Sequence, residues 1–79
     1  MSPARKEPDT STYSGRFAVR LRALREKAGM TVEEVADATG IPFKTYYNWE
    51  ASRSLPSIDK LPDIAEVFGV EIRTILPKK

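Results

Sequence analysis

Between Ala36 and Pro42 the chain reads ADATGIP, and this stretch limits the fold more than any other. Upstream, Thr31 is followed three residues later by Glu34, a reciprocal capping pair that starts a helix. Gly40 ends that helix, because glycine enters the left-handed conformation without steric cost. Pro42 then suits the first turn of a second helix, where its missing N–H has no partner to lose. Val35 and Ala36 are the inward pair of the first helix. Ala36 is small enough to let the second helix cross closely, and Ile41 plugs the angle between them with an apolar side chain.

The flanking segments are helical as well. In SGRFAVRLRALREKAG, the residues Phe17, Leu21, Leu24 and Ala28 recur on one helix face. Arg16, Arg20 and Lys27 lie on other faces, and Gly29 caps the C-terminus. The helix opened by Pro42 runs to about Ala51 and is followed by the loop SRSLP. Ser57 caps a fourth helix whose apolar face is Ile58, Leu61, Ile64, Ala65 and Phe68, with Pro62 in or near its first turn and Gly69 at its end. VEIRTIL makes a short fifth helix that stops at Pro77. No stretch alternates with period two between turn residues, so the expected fold is all-α, a compact bundle of about five short helices. Residues 1–13, rich in Pro, Ser, Thr and charge, read as a flexible arm. Residues 14–76 read as the ordered domain and 77–79 as a short basic tail.

Composition excludes several functions. A chain of 79 residues is one small domain with a modest core. It has no cysteine and no histidine, which removes disulfides, thiolate metal sites and the commonest general base. No glycine-rich phosphate loop is present. The expectation is therefore no catalytic residue, no metal and no cofactor. No apolar run approaches the roughly 20 residues that span a bilayer, and the N-terminus lacks an apolar signal core, so a cytoplasmic protein is expected. Net charge is only +2, yet residues 1–29 carry seven Lys/Arg against three acids. That distribution permits a polyanionic partner without demanding one.

Two short helices on a tight glycine turn make a helix-turn-helix. The surrounding frame resembles the Cro and phage-repressor type of helix-turn-helix DNA-binding proteins, the XRE-like regulators. The resemblance is carried by LRALREKAGMTVEEVADATGI, NWE and LPSIDKLPDIAEVFGV and extends from about Arg16 to Leu76. It implies a lambda-repressor-like domain and an ion pair between Arg25 and Glu50 that braces the first helix against the third. It also implies that the helix at 42–51 enters the DNA major groove. Three positions depart from the pattern. Val32 stands where a glutamine often touches phosphate, Pro42 where a polar N-cap is usual, and Ser52 where glycine is common.

Four of the seven aromatic residues fall within GIPFKTYYNWE. Projected on a helix, Tyr46, Trp49 and Glu50 share the inward face, with Tyr46 in the core and Trp49 in it or at its rim. Phe43, Lys44, Tyr47 and Asn48 project outward or flank that face. Their chemistry suits base reading: Asn48 pairs with adenine, Lys44 donates to guanine, and Phe43 packs on a thymine methyl. Tyr47 reaches a phosphate or lies along the groove. Phosphate contacts are expected from the backbone of Thr31 and Val32, from Thr45, from Arg53 and Ser54, and from Arg20 and Arg16 on the first helix.

The reading that follows is a sequence-specific transcriptional regulator, a repressor, binding a palindromic double-stranded operator as a homodimer. Dimer contacts would use the fifth helix, with Ile72, Ile75 and Leu76 as its apolar residues. No membrane partner and no small-molecule effector domain are expected. The alternative is a protein-binding module that presents the exposed aromatics of the same helix to a protein partner.

Overall fold

The computed structural model describes residues 8–77. Five α-helices follow one another: α1 Tyr13–Lys27, α2 Val32–Thr39, α3 Phe43–Glu50, α4 Leu61–Phe68 and α5 Ile72–Ile75. A single 3-10 turn, Ile58–Lys60, leads into α4. No strand occurs among the described residues.

The first two helices begin where a threonine supplies a partner for their orphan N–H groups. Thr12 caps α1 by accepting from the Gly15 N–H at 3.0 Å. Ahead of it, the chain from Asp9 to Thr12 closes a turn through Thr12 N–H to the Asp9 carbonyl. Helix α1 thus starts at Tyr13, one residue inside the stretch expected to be an arm, and the arm's residues 1–7 lie outside the described ones. Gly15 is required here by close approach, since a Cβ at that position would overlap the Asp9 carbonyl oxygen. Thr31 and Glu34 form the complete capping box of α2 (2.8 and 3.1 Å).

Helix ends are as well defined. Gly40 ends α2 at φ 75°. Helix α3 begins at Phe43, with Pro42 as an N-cap that makes no side-chain bond. At its far end, Ser52 N–H reaches the Trp49 carbonyl and Arg53 N–H the Asn48 carbonyl, the two bonds of a Schellman motif. Ser52 occupies that motif's left-handed position at φ 66°, where every other described residue with positive φ is glycine.

The core is built from the inward faces of all five helices. Phe17 and Leu21 of α1, Val35 of α2, Ile41 of the turn, Tyr46 and Trp49 of α3, Ile64 and Ala65 of α4, and Ile75 of α5 form one cluster. Tyr46 and Trp49 meet edge to face with centroids 5.9 Å apart. Burying a large apolar side chain such as these stabilises by about 1.5–3 kcal/mol.

Two expectations of the apolar pattern are corrected. Ala28 is exposed, because α1 ends there and the chain turns away through Gly29. Ile58 is 82% exposed rather than part of the fourth helix's inward face. The reason is Pro62, which has no N–H to give the Ile58 carbonyl. That carbonyl instead takes the Leu61 N–H in a tighter i to i+3 bond. The 3-10 turn then rotates Ile58 out of phase with Leu61 and Ile64. Ser57 precedes this turn without capping a helix, and its hydroxyl donates to Asp59 at 2.6 Å.

Candidate nucleic-acid interface

Helix α3 is held by its inward face. Arg25 of α1 sends Nε to Glu50 Oε2 at 2.7 Å and Nη2 to Oε1 at 3.0 Å, the bidentate fork that suits guanidinium and carboxylate. The two side chains are 12% and 7% exposed, so the pair is largely withdrawn from water. The Glu50 bond holds the Arg25 guanidinium above its usual pKa, against the opposing effect of burial. A third donor joins them: the Tyr46 hydroxyl gives its hydrogen to Glu50 Oε2 at 2.6 Å. Burial first, and then this bond, hold the Tyr46 phenol well above its ordinary range. Arg25 Nη1 also donates to the Met30 carbonyl at 2.9 Å. One side chain therefore ties α1, the α1–α2 loop and α3 together.

The outward face of α3 divides into two strips. Phe43 and Tyr47, four residues apart, stack with centroids 6.1 Å apart and planes inclined by 16°. Phe43 is 49% exposed. Tyr47, expected to be exposed, is half-buried, with the Phe43 ring stacked on it. Beside them run Lys44, exposed, and Asn48, half-buried. Thr45 is exposed at the helix edge. Arg53 and Ser54 continue from the C-terminal end of α3 on exposed chain.

The structure does not bring all the expected phosphate contacts to this face. The Thr31 N–H is engaged by the Glu34 carboxylate, so the free donors at the start of α2 are the N–H groups of Val32 and Glu33. The Val32 side chain packs against the core. Arg20 points to the far side of α1, where Nη1 donates to the Thr74 carbonyl of α5 at 3.2 Å. That bond ties α1 to α5. Arg16 similarly braces the N-terminal turn, donating to the Thr10 carbonyl at 3.1 Å with its guanidinium 5.8 Å from the Tyr13 ring centre.

On its other flank, Phe43 borders a groove between α2 and α3 lined by Glu33, Ala36, Asp37 and Pro42. The face is thus electrostatically lopsided, with carboxylates beside Phe43 and cations at Lys44 and Arg53. Sequence reasoning missed the Tyr46 hydroxyl and the Met30 carbonyl as parts of the brace. The i to i+4 spacing of Tyr46 and Glu50 was the one available signal.

With this geometry established, similarity to known proteins becomes informative. A helix-turn-helix family model matches residues 21–75, from the middle of α1 to the end of α5. The chain is 35% identical over 60 residues to the uncharacterized HTH-type transcriptional regulator YobD of Bacillus subtilis, covering 76% of this chain and 54% of YobD. It is 28% identical over 60 residues to the cryptic phage CTXphi transcriptional repressor RstR of Vibrio cholerae, again covering 76% and 54%. The chain spans about half the length of these curated relatives. A crystal structure of the hypothetical transcription factor NHTF from Neisseria superposes with a TM-score of 0.79 over 98% of this chain and 87% of that one. At 23% identity that likeness is one of fold.

Proposed function

The chain belongs to the helix-turn-helix family of transcription regulators, and from that premise we propose that it is a sequence-specific repressor that reads operator DNA with α3. The observation that carries the proposal is the two-strip outward face of a helix whose inward face is fixed by Arg25, Tyr46 and Glu50. A reading surface needs side chains that face outward on a backbone that does not shift. Lys44 donates to guanine O6 and N7, and Asn48 makes a bidentate pair with adenine. Phe43 and Tyr47 supply apolar contact in the same groove. Arg53, Ser54, Thr45 and the free N–H groups at the start of α2 meet the phosphates and set the register. Repression is supported by the phage repressor among the relatives. Occupying a promoter needs no chemistry beyond binding, which suits a family of regulators rather than enzymes.

The operator is palindromic and the protein binds it as a homodimer, with half-sites about one helical turn apart. Ile75 is fully buried and closes the monomer core, so it leaves the dimer surface to others. Ile72 and Leu76 remain partly exposed on and beside α5, and Leu55 and Ile58 are exposed in the segment before α4. The protein acts in the cytoplasm, where its DNA lies. No helix among the described residues is long and apolar enough to cross a membrane.

Selection from a randomised duplex pool at two salt concentrations tests the reading. The expected result is an enriched palindrome bound more weakly at high salt, through release of counterions from the phosphates. Failure to enrich any sequence, with no salt-sensitive binding, would overturn it.

A further inference from the structure

The Phe43 ring carries no donor or acceptor, so it cannot read the polar edge of a base. It nevertheless stands half exposed on the outward face of α3, backed by the Tyr47 ring at 6.1 Å and nearly parallel to it. The backing holds Phe43 in place and extends the apolar surface over about one turn of helix. The Phe43 flank is also a poor place for a phosphate, because Glu33 and Asp37 line the groove beside it. What the Phe43 ring itself can pack against inside a major groove is an uncharged, apolar group. The four base pairs present one such group there, the methyl on C5 of thymine. A methyl on C5 of cytosine occupies the same place on the ring.

We infer that the stacked Phe43–Tyr47 pair senses the C5 methyl of a pyrimidine. Each half-site then carries thymine opposite Phe43, and 5-methylcytosine partly replaces it where unmethylated cytosine does not. The inference rests on the DNA-reading role of α3 proposed above and adds the group that one strip of that helix recognises. It makes binding responsive to cytosine methylation without any polar contact to the modified base. Lys44 and Asn48, on the neighbouring strip, read hydrogen-bonding edges and are indifferent to the methyl.

The test uses the full chain and the operator obtained by selection. Each thymine is replaced in turn by deoxyuridine, which removes the methyl and leaves every hydrogen-bonding group. At one thymine per half-site the affinity should fall about four-fold, the effect of losing one buried methyl group. The same position rebuilt as cytosine and as 5-methylcytosine should differ by a similar factor in favour of the methylated base. In Phe43→Ala, whose exposed position leaves the core intact, affinity for the operator should fall by a similar factor and both differences should vanish. Unchanged affinity for every deoxyuridine duplex, with specific binding intact, would overturn the methyl-sensing role and leave the regulator reading standing. Absence of specific binding to any duplex would overturn both, and the aromatic strip would then be a protein-facing surface.

Discussion

At Glu50 three donors converge on one carboxylate, two from Arg25 and one from Tyr46. Removing the acceptor strands a buried guanidinium and a buried hydroxyl together. Glu50→Ala should therefore cost about 3–5 kcal/mol, a large part of the stability of a domain this size, and urea unfolding would show it as a lowered midpoint. Tyr46 adds a pH dependence of known sign. Its folded-state pKa is raised, so the neutral phenol is the form that stabilises the fold. That contribution is complete below the unfolded-state value, about 10, and is lost as the pH climbs from there toward the folded value. Thermal melts between pH 8 and 11 should fall more steeply for the native chain than for Tyr46→Phe. At this scale the sequence was only partly legible. Arg25 and Glu50 came from the family frame. The Tyr46 ring was assigned to the core by its helical phase, but periodicity places a ring and does not say where its hydroxyl goes. The Thr74 partner of Arg20 was hidden for a similar reason. An arginine off the apolar face has several partners within reach, and the one it takes, the Thr74 carbonyl, lies 54 residues away.

Among the elements, starts and stops were the most readable features, because capping depends on a few adjacent residues. Thr31 with Glu34 and the glycines at 40 and 69 place helix ends almost unaided. The fourth helix was harder. Its apolar period runs through Ile58 without a break, and only the missing N–H of Pro62 indicates that the first turn must tighten and rotate Ile58 outward. The C-terminus of α3 holds the clearest conflict between residue and backbone. Ser52 sits at φ 66°, a conformation that disfavours any side chain by roughly 1–2 kcal/mol. Glycine relieves that strain but loses more entropy on folding, and the long 3.4 Å contact between the Ser52 and Ser14 hydroxyls would go. The balance should favour Ser52→Gly by about 0.5–1 kcal/mol, seen as a melting temperature a few degrees higher.

For the whole molecule, charge is placed rather than abundant. A net +2 on 79 residues gives little long-range attraction to DNA, so binding must rely on a few well-placed cations. Arg53 is exposed just beyond the C-terminal end of α3. Arg53→Ala should weaken binding to all sequences alike and lower the slope of log affinity against log salt by about one, while the selected motif stays the same. Composition and helical phase made the all-α bundle readable at this scale, since one cluster of inward residues serves every element. Which apolar residues were left outside depended on tertiary closure, as the exchange of Ile75 for Ile58 on the surface illustrates. The Arg25 side chain has one more consequence, for motion. It joins the Met30 carbonyl to Glu50, so α3 cannot swing free without releasing the loop that leads into α2. The two helices should open as one cooperative unit. Amide hydrogen exchange along Val32–Thr39 and Phe43–Glu50 should then share a single opening free energy, and Arg25→Ala should split it into two.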